Sequence, residues 1–393
     1  MSDLTIANIG SIFGKMRSSF WNTKLISNSL GLDIDTYYVR WHDAVKKDYK
    51  FPEKKNKVAF RFFSPYVDDE MNEFIEENYG QTHLTPGEKY AEGFCSMIDT
   101  VQERIEAQVN DFVYVNSPEA IKNLRDKREM SRILHKNNIP HPEIIENPDV
   151  ETIINEIDKG KTICVKPIGG SCGRGVTRLR KINNGNNGYQ LTTTWKSSDD
   201  FSEEKKSHTE ELTKDNFEIF IKNYIEFGGL FQEWIDNYRG EWDGKKYSFD
   251  MREIVLYPDI YETAVTEIIR KAPPDEITTN ISNGNSPAGY LFAKNNLGDD
   301  GIEKTRKLAI DAAKSFENLN FSGVDIMWRK KEGNKEPVVI ELNSFPGRAV
   351  SSYTGVRWQT LETLGLLKSL DFDIKFDPNN LLYKNSVQKL YDS

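Results

Sequence analysis

The segment Val338-Val-Ile-Glu341-Leu-Asn343-Ser-Phe-Pro-Gly347, with Gly323-Val-Asp325-Ile-Met upstream of it, places two carboxylates and an amide where they could act together. Side chains alternate along a strand, so Glu341 and Asn343 leave one face while Val338 to Ile340 pin the strand into a core. A hairpin partner carrying Asp325 completes an oxygen-only cluster. With no Cys or His beside it, such a cluster suits a hard divalent cation such as Mg²⁺ better than zinc. Taken alone, the segment also reads as an edge strand with solvated polar ends. A second group is Cys164-Val-Lys166-Pro-Ile-Gly169-Gly170-Ser171-Cys172-Gly173-Arg174-Gly175-Val176, which reads as a strand, a glycine-rich loop and a return strand. Its glycines let backbone amides surround phosphate oxygens, Ser171 adds a donor, and Lys166 supplies a compact charge. By itself such a loop is equally a flexible turn. It lacks the Gly-Lys-Ser/Thr of a Walker loop, and no helix follows it as a dinucleotide-binding site requires. The surviving functional reading is a hairpin lid over a triphosphate.

The elements that must position these groups are legible in outline. Leu4 to Ile9, Tyr37 to Trp41 and Val58 to Phe63 read as strands of an α/β unit, with an acidic amphipathic helix expected near Val67 to Tyr79. The segment 80–111 matches no template. Phe112 to Val115 is a strand, and Ser117-Pro118 opens a helix as cap and first-turn residue, expected to run to about Lys136 and to stop before Pro140-His-Pro142. A short helix near Val150 to Ile157 leads through Lys159-Gly160 to the strand Thr162 to Lys166. From 181 to 215 the composition turns to Asn, Gly, Ser, Thr, Glu and Lys, the signature of a long exposed hairpin or insertion. Strand patterns return at Leu230 to Ile235, Phe249 to Tyr257 and Ala264 to Lys271, and a helix is expected over Glu303 to Glu317.

Composition narrows the function. A chain of 393 residues exceeds the roughly 250–300 at which one core stops growing, so two or three subdomains are expected. No apolar run is long enough for a membrane span, no secretory signal opens the chain, and the three cysteines (Cys95, Cys164, Cys172) have no paired spacing, all of which points to the cytoplasm. Cys164 reads as core. A net charge of −9 argues against nucleic acid as a partner, so an anionic ligand needs a local cationic site.

A third block joins the first two: Phe231-Gln232-Glu233-Trp234-Ile235, then Asp250-Met-Arg252, Arg270-Lys271 and Thr279-Asn280-Ile-Ser-Asn-Gly284. In order and spacing, and with Asn123-Leu-Arg125-Asp126-Lys127 upstream, residues 112–365 resemble the ATP-grasp superfamily, above all RimK-type glutamate ligases and prokaryotic glutathione synthetases. The resemblance implies an α/β (α+β ATP-grasp) architecture: an N-terminal pre-ATP-grasp domain (1–115), a central subdomain with lid and insertion (116–235) and a C-terminal subdomain with the metal site (236–393), clasping ATP. It implies that Lys127 and Lys166 contact phosphates and that Gly170, Ser171, Gly173, Arg174, Gly175 and Val176 form the lid. Gln232, Glu233, Trp234 and Ile235 would then hold adenine through backbone groups, with Asp250 facing the ribose or substrate. Arg252 would hold the transferred phosphate, Asn280 would lie near phosphates and metal, and Asp325, Glu341 and Asn343 would bind two Mg²⁺, or Mn²⁺. Arg270 reads either as a substrate contact or as half of a solvated pair with Lys271, and Arg348 as a contact to a substrate carboxylate or as a structural salt bridge. The long insertion, Phe345 and Arg348 in the turn, and the first 110 residues depart from the relatives where substrates would sit.

The implied activity is ATP-dependent joining of a carboxylate to an amine, as an amide, peptide or ester, through an acylphosphate, on an amino acid, a peptide or a protein tail. The alternatives are a small-molecule dipeptide or glutathione-like synthetase and a non-catalytic synapsin-like ATP-binding protein. Relatives of this kind are often homo-oligomers. No Ser-His-Asp or Cys-His set competes, since none of His135, His141 and His208 has a second ligand at metal spacing.

Overall fold

The computed structural model describes residues 4–10, 23, 26–28, 30–52, 56–63, 77–78, 85–169, 173, 175–182, 188–194, 207–261, 263–280, 285–331, 333–344 and 358–372 of the chain. The helix expected at Val67 to Tyr79 falls almost wholly outside these residues, as do Gly170, Ser171, Cys172, Arg174, Phe345 and Arg348.

The first sheet is parallel, in the order β2-β1-β3-β4, from β1 (Leu4–Gly10), β2 (Ile34–Arg40), β3 (Val58–Phe62) and β4 (Phe112–Tyr114). Its strand β1 is buried throughout, as a central parallel strand must be. The segment 80–111 without a sequence assignment is the helix Pro86–Gln108, opened by a capping box in which Thr85 accepts from the Glu88 amide and Glu88 accepts from Thr85. The Thr-Pro-Gly-Glu signal for that start was present in the sequence. Phe94, Met97, Ile98, Val101 and Ile105 line the helix face that covers the sheet.

The second sheet is antiparallel, β8-β7-β6-β5-β9, built from β5 (Ile163–Pro167), β6 (Thr177–Ile182), β7 (Gly188–Thr193), β8 (His208–Leu212) and β9 (Gly229–Glu233). The expected strand, glycine loop and return strand are β5 and β6, paired Ile163 to Leu179 and Val165 to Thr177. The 181–215 stretch is not a simple exposed insertion. It supplies β7 and β8, and Tyr189 and Leu191 of β7 are core, packed with Phe217 and Ile221 of the helix Lys214–Phe227. Its polar composition hid a strand in which the buried Tyr189 and Leu191 alternate with Gln190.

The third sheet runs β13-β12-β11-β14-β15, with β10 (Arg239–Trp242) on β11 (Lys245–Leu256), then β12 (Thr263–Ala272), β13 (Ser286–Ala288), β14 (Phe321–Lys331) and β15 (Asn334–Asn343). One face carries the helix Tyr290–Lys314, which begins earlier than the sequence suggested and bends at Gly298, where φ is +71°. The helix expected over 118–136 is two helices, Pro118–Arg125 and Lys127–Lys136. Between them Asp126 is extended (φ −85°, ψ 108°), and its side chain caps the second helix by accepting from the Arg128 amide. Ser117 caps the first, as expected.

On β11 the two faces divide the molecule. Phe249, Met251 and Val255 point to one side of the sheet, the first two packing with Phe292 and Ala293 of the long helix. On the other side Ile254 and Leu256 meet Leu4 and Ile6 of β1 and the helix Trp358–Ser369 in a shared core. The same side carries Ser248, Asp250 and Arg252 further along the strand, so one strand face runs from the first sheet into the cleft described next.

Candidate functional site

A cavity lies between the second and third sheets. Its lining brings together Lys127, Lys166, Gly173, Val176, Gln232 to Ile235, Asp250, Arg270, Asn280, Asp325 and Glu341, which the sequence reading had picked out from segments scattered over two hundred residues. The hairpin expected to carry Asp325 and Glu341 is present: β14 and β15 are antiparallel and Asp325 stands directly opposite Glu341. Arg252 of β11 stands opposite Asp325 on its other side, so three neighbouring strands present guanidinium, carboxylate and carboxylate in one row.

The expectation that Ile340 is core is corrected by a bulge. Asp325 pairs with Glu341 but Ile326 pairs with Val339, so Ile340 is an extra residue. A bulge resets the alternation, and here it turns both Ile340 and Glu341 to the cavity while Val339 and Leu342 stay in the core. A second bulge, at Glu267, lies between Arg252 and Glu253 of the β11–β12 ladder.

Charge compensation is close to complete. Arg252 grips Asp325 with two bonds, Nε to Oδ1 at 2.6 Å and Nη2 to Oδ2 at 2.8 Å, and therefore reaches the cavity through Asp325 instead of standing free for a phosphate. Arg270 is buried, not solvated. It forks onto Asp250, with Nε 2.7 Å from Oδ1, approaches Asp325 Oδ2 at 3.0 Å, and donates to Asn280 Oδ1 at 3.3 Å. Asp250 is thus paired with Arg270 while lining the cavity. Lys127, at the start of its helix because Asp126 breaks the preceding one, sits 3.2 Å from Glu341. Lys166 has no carboxylate partner among the described residues.

Burial pushes the Lys166 ammonium below its ordinary value, and the nearby Lys127 charge adds to that. Asp325 goes the other way: burial opposes its charge, but Arg252 and then Arg270 outweigh it and hold the carboxyl at about 2. Arg270 stays charged because Asp250 and Asp325 overcome its burial. Around Asp325 the site is a buried lattice of alternating charge, beside which the Lys166 ammonium makes no salt bridge among the described residues and offers a contact to an anionic group. Glu233 and Glu276 add carboxylates elsewhere in the lining.

The donor set suits an oxygen-seeking cation. Asp325 and Glu341 supply carboxylates, and Asn343 has a buried amide nitrogen with no hydrogen-bond partner among the described residues. Asn343 stands opposite Gly323, the register position next to the Asp325–Glu341 pair on the same side. Among the described residues no three His, Cys, Asp or Glu side chains cluster as a metal site, so any cation here would rest on the two carboxylates with the Asn343 amide.

At the other end of the cavity, β9 runs into the linker. The Glu233 amide is committed to the Glu143 carbonyl (2.8 Å) and the Trp234 amide to the Thr162 carbonyl (3.2 Å). Glu233 is held by Arg329 and the Trp234 ring lies under Arg178, 5.3 Å away. Cys164 lines this end as well as being buried. Ser248, Glu276, Thr278 and Met327 also line the cavity and are not among the residues picked out by sequence. Ser248 and Met327 stand two residues from Asp250 and Asp325, so period-two alternation carried forward would have found them. The others sit on a loop whose path no local signal fixes.

A family model described as YheC/D-like ATP-grasp matches residues 120–366. No curated protein sequence matches the chain. Among solved structures, the ATP-grasp ligase PsnB, in a complex with a phosphomimetic variant of its minimal precursor, Mg and ADP, is 15% identical and covers 94% of this chain and 100% of its own, with a TM-score of 0.54. The D-cycloserine synthetase DcsG is 12% identical over 93% of this chain and 99% of its own, with a TM-score of 0.53. D-alanyl-alanine synthetase A of Vibrio cholerae is 12% identical over 95% of this chain and 100% of its own, with a TM-score of 0.50. At these identities the likeness is one of fold, and the fold is ATP-grasp. Among the described residues no helix is long and apolar enough to cross a membrane.

Proposed function

The chain belongs to the YheC/D-like ATP-grasp family, and from that premise we propose that it is an ATP-dependent carboxylate–amine ligase whose active site is the cavity between the second and third sheets. The observation that carries the reading is that Lys166, which has no salt bridge among the described residues, the Asp325–Glu341 pair and residues 232–235 all line one cavity.

In this reading the linker receives adenine. With the Glu233 and Trp234 amides already bonded, the Ile235 amide is the next one along the linker. Lys127 and Lys166 neutralise phosphate oxygens, together with lid amides between 170 and 176. Asp325, Glu341 and Asn343 would hold Mg²⁺, two ions being the number such ligands commonly share, which supplies charge neutralisation between the phosphates. Asp325 is delivered to that role by Arg252 and Arg270, whose grip fixes its orientation and keeps it ionised. Arg252 acts in this reading through Asp325, and Asn280, held by Arg270, lines the cavity close to the phosphates. No protein nucleophile is required: a substrate carboxylate takes the γ-phosphoryl group, and an amine then displaces phosphate from the acylphosphate. The protein contributes positioning and preorganised charge.

The chain divides in this proposal at about 115 and 235, with the N-terminal sheet as the substrate-side unit, in the cytoplasm. A peptide substrate is favoured because the PsnB structures hold precursor peptides on the same fold and the first sheet adjoins the cleft through β11. The test is ADP release with Mg²⁺ across a panel of amino acids and peptides. Stimulation by a peptide and an amine donor supports the ligase, whereas MgATP binding without stimulation by any member of a broad panel would leave only a nucleotide-binding protein.

A further inference from the structure

Two buried hydroxyls hold the returning arm of the glycine-rich loop. The Thr194 hydroxyl accepts from the Val176 amide (3.1 Å) and donates to the Gly173 carbonyl (2.9 Å), while the Thr194 amide donates to the Val176 carbonyl (3.0 Å). The Tyr224 hydroxyl donates to the Gly175 carbonyl from below. Tyr224 cannot shift. Its ring lies against Phe231 and Phe220, and it presses on Gly229 so closely that a β-carbon there would come within 2.2 Å of a ring carbon. The arm it holds is costly to order, since Gly173 and Gly175 sit at φ +68° and +70° and glycine loses more freedom than any other residue. Gly173 and Val176 face the cavity that Lys166 enters.

We infer that Tyr224 and Thr194 are positioning residues for the nucleotide's phosphates: they preorganise Gly173, Gly175 and Val176, so that the entropy of ordering these residues is lost on folding and not on binding. Neither residue lines the cavity, and neither belongs to the motifs from which the site was read. The inference rests on the assignment of the cavity as an ATP site.

The experiment is calorimetric titration of the full chain with two probes, MgAMPPNP and adenosine. Tyr224→Phe keeps the ring and Thr194→Val keeps the shape. Tyr224→Phe should weaken MgAMPPNP about three- to tenfold, the worth of one hydrogen bond, Thr194→Val should weaken it at least as much because it removes two, and both should leave adenosine binding unchanged. Thr194→Ser should restore MgAMPPNP affinity, and amide exchange at Gly173, Gly175 and Val176 should quicken in the two weakened variants. Equal weakening of both probes, or none of either, overturns the inference while leaving the ATP site standing. If wild-type protein binds neither probe, the site assignment fails first. Should Tyr224→Phe not fold, the Thr194 series decides alone.

Discussion

Asp325 is the residue on which the site turns, and its surroundings change how it should be tested. It is buried and shared by Arg252 and Arg270, so Asp325→Ala takes a carboxylate from two buried guanidiniums, of which Arg270 keeps Asp250, and is expected to cost about 3–5 kcal/mol of stability, confounding any loss of activity. Glu341 is 28% exposed and has Lys127 as its ion-pair partner. Glu341→Gln should therefore abolish substrate-stimulated ADP release with a melting temperature within a few degrees of wild type, about 1 kcal/mol or less. Retained turnover in Glu341→Gln would remove the metal assignment. Lys166 gives a pH signature. Burial lowers its pKa, so it sheds its proton at a lower pH than an ordinary lysine, and the native state loses the cost of a buried charge as pH rises through that lowered value. Anion binding needs the charge, so affinity for MgADP should fall as pH rises toward the ordinary lysine value of 10.5 and begin falling before it. Lys166→Arg should retain affinity across that range, and titrations at a series of alkaline pH values compare the two. The types of these residues were legible because carboxylate, lysine and glycine chemistry is specific. Which charge partners which was not, because Arg252, Arg270 and Lys127 reach their carboxylates across strands and helices far apart in the chain.

At the scale of elements, small interruptions do the aiming. Asp126 breaks what reads as one helix, caps the next, and binds Arg128. The amphipathic pattern continues through the break, so periodicity alone could not find it, although Arg-Asp-Lys marked the place. Asp126→Ala should lower stability by about 1 kcal/mol and weaken nucleotide binding through Lys127, while Asp126→Asn, which keeps the cap, should lie close to wild type in denaturant melts. An alanine variant as stable and as tight-binding as wild type would show that the break does not position Lys127. The Ile340 bulge was likewise invisible, since Val-Val-Ile-Glu-Leu fits a regular strand and only the ladder to β14 reveals the extra residue. The β7 strand escaped notice for the opposite reason: polar composition outweighed a short alternating pattern whose burial depends on the helix Lys214–Phe227.

Across the whole molecule, one buried ion pair joins the two ends of the chain. Arg61 of β3 meets Glu362 of the helix Trp358–Ser369 (2.9 Å and 2.6 Å), and also bonds Asn8 and Thr363. Both charges are almost fully buried, so Glu362→Ala should destabilise the protein by about 3–5 kcal/mol, and amide exchange should show β1, β3 and the helix losing protection together. Loss confined to the helix would mean that the first sheet stands independently of it. Nothing local in Phe60-Arg61-Phe62 or Leu361-Glu362-Thr363 announces that pairing. By itself the sequence determined the superfamily, the run of strands and helices around the site, and the chemical kinds of residue in it, because alternation, capping and glycine-rich turns are written in neighbouring residues. The tertiary structure decided which acids carry guanidiniums, that Lys166 is the ammonium left without a carboxylate among the described residues, where strands bulge, and that the two ends of the chain share one core. Those outcomes depend on distances between segments that only packing brings together.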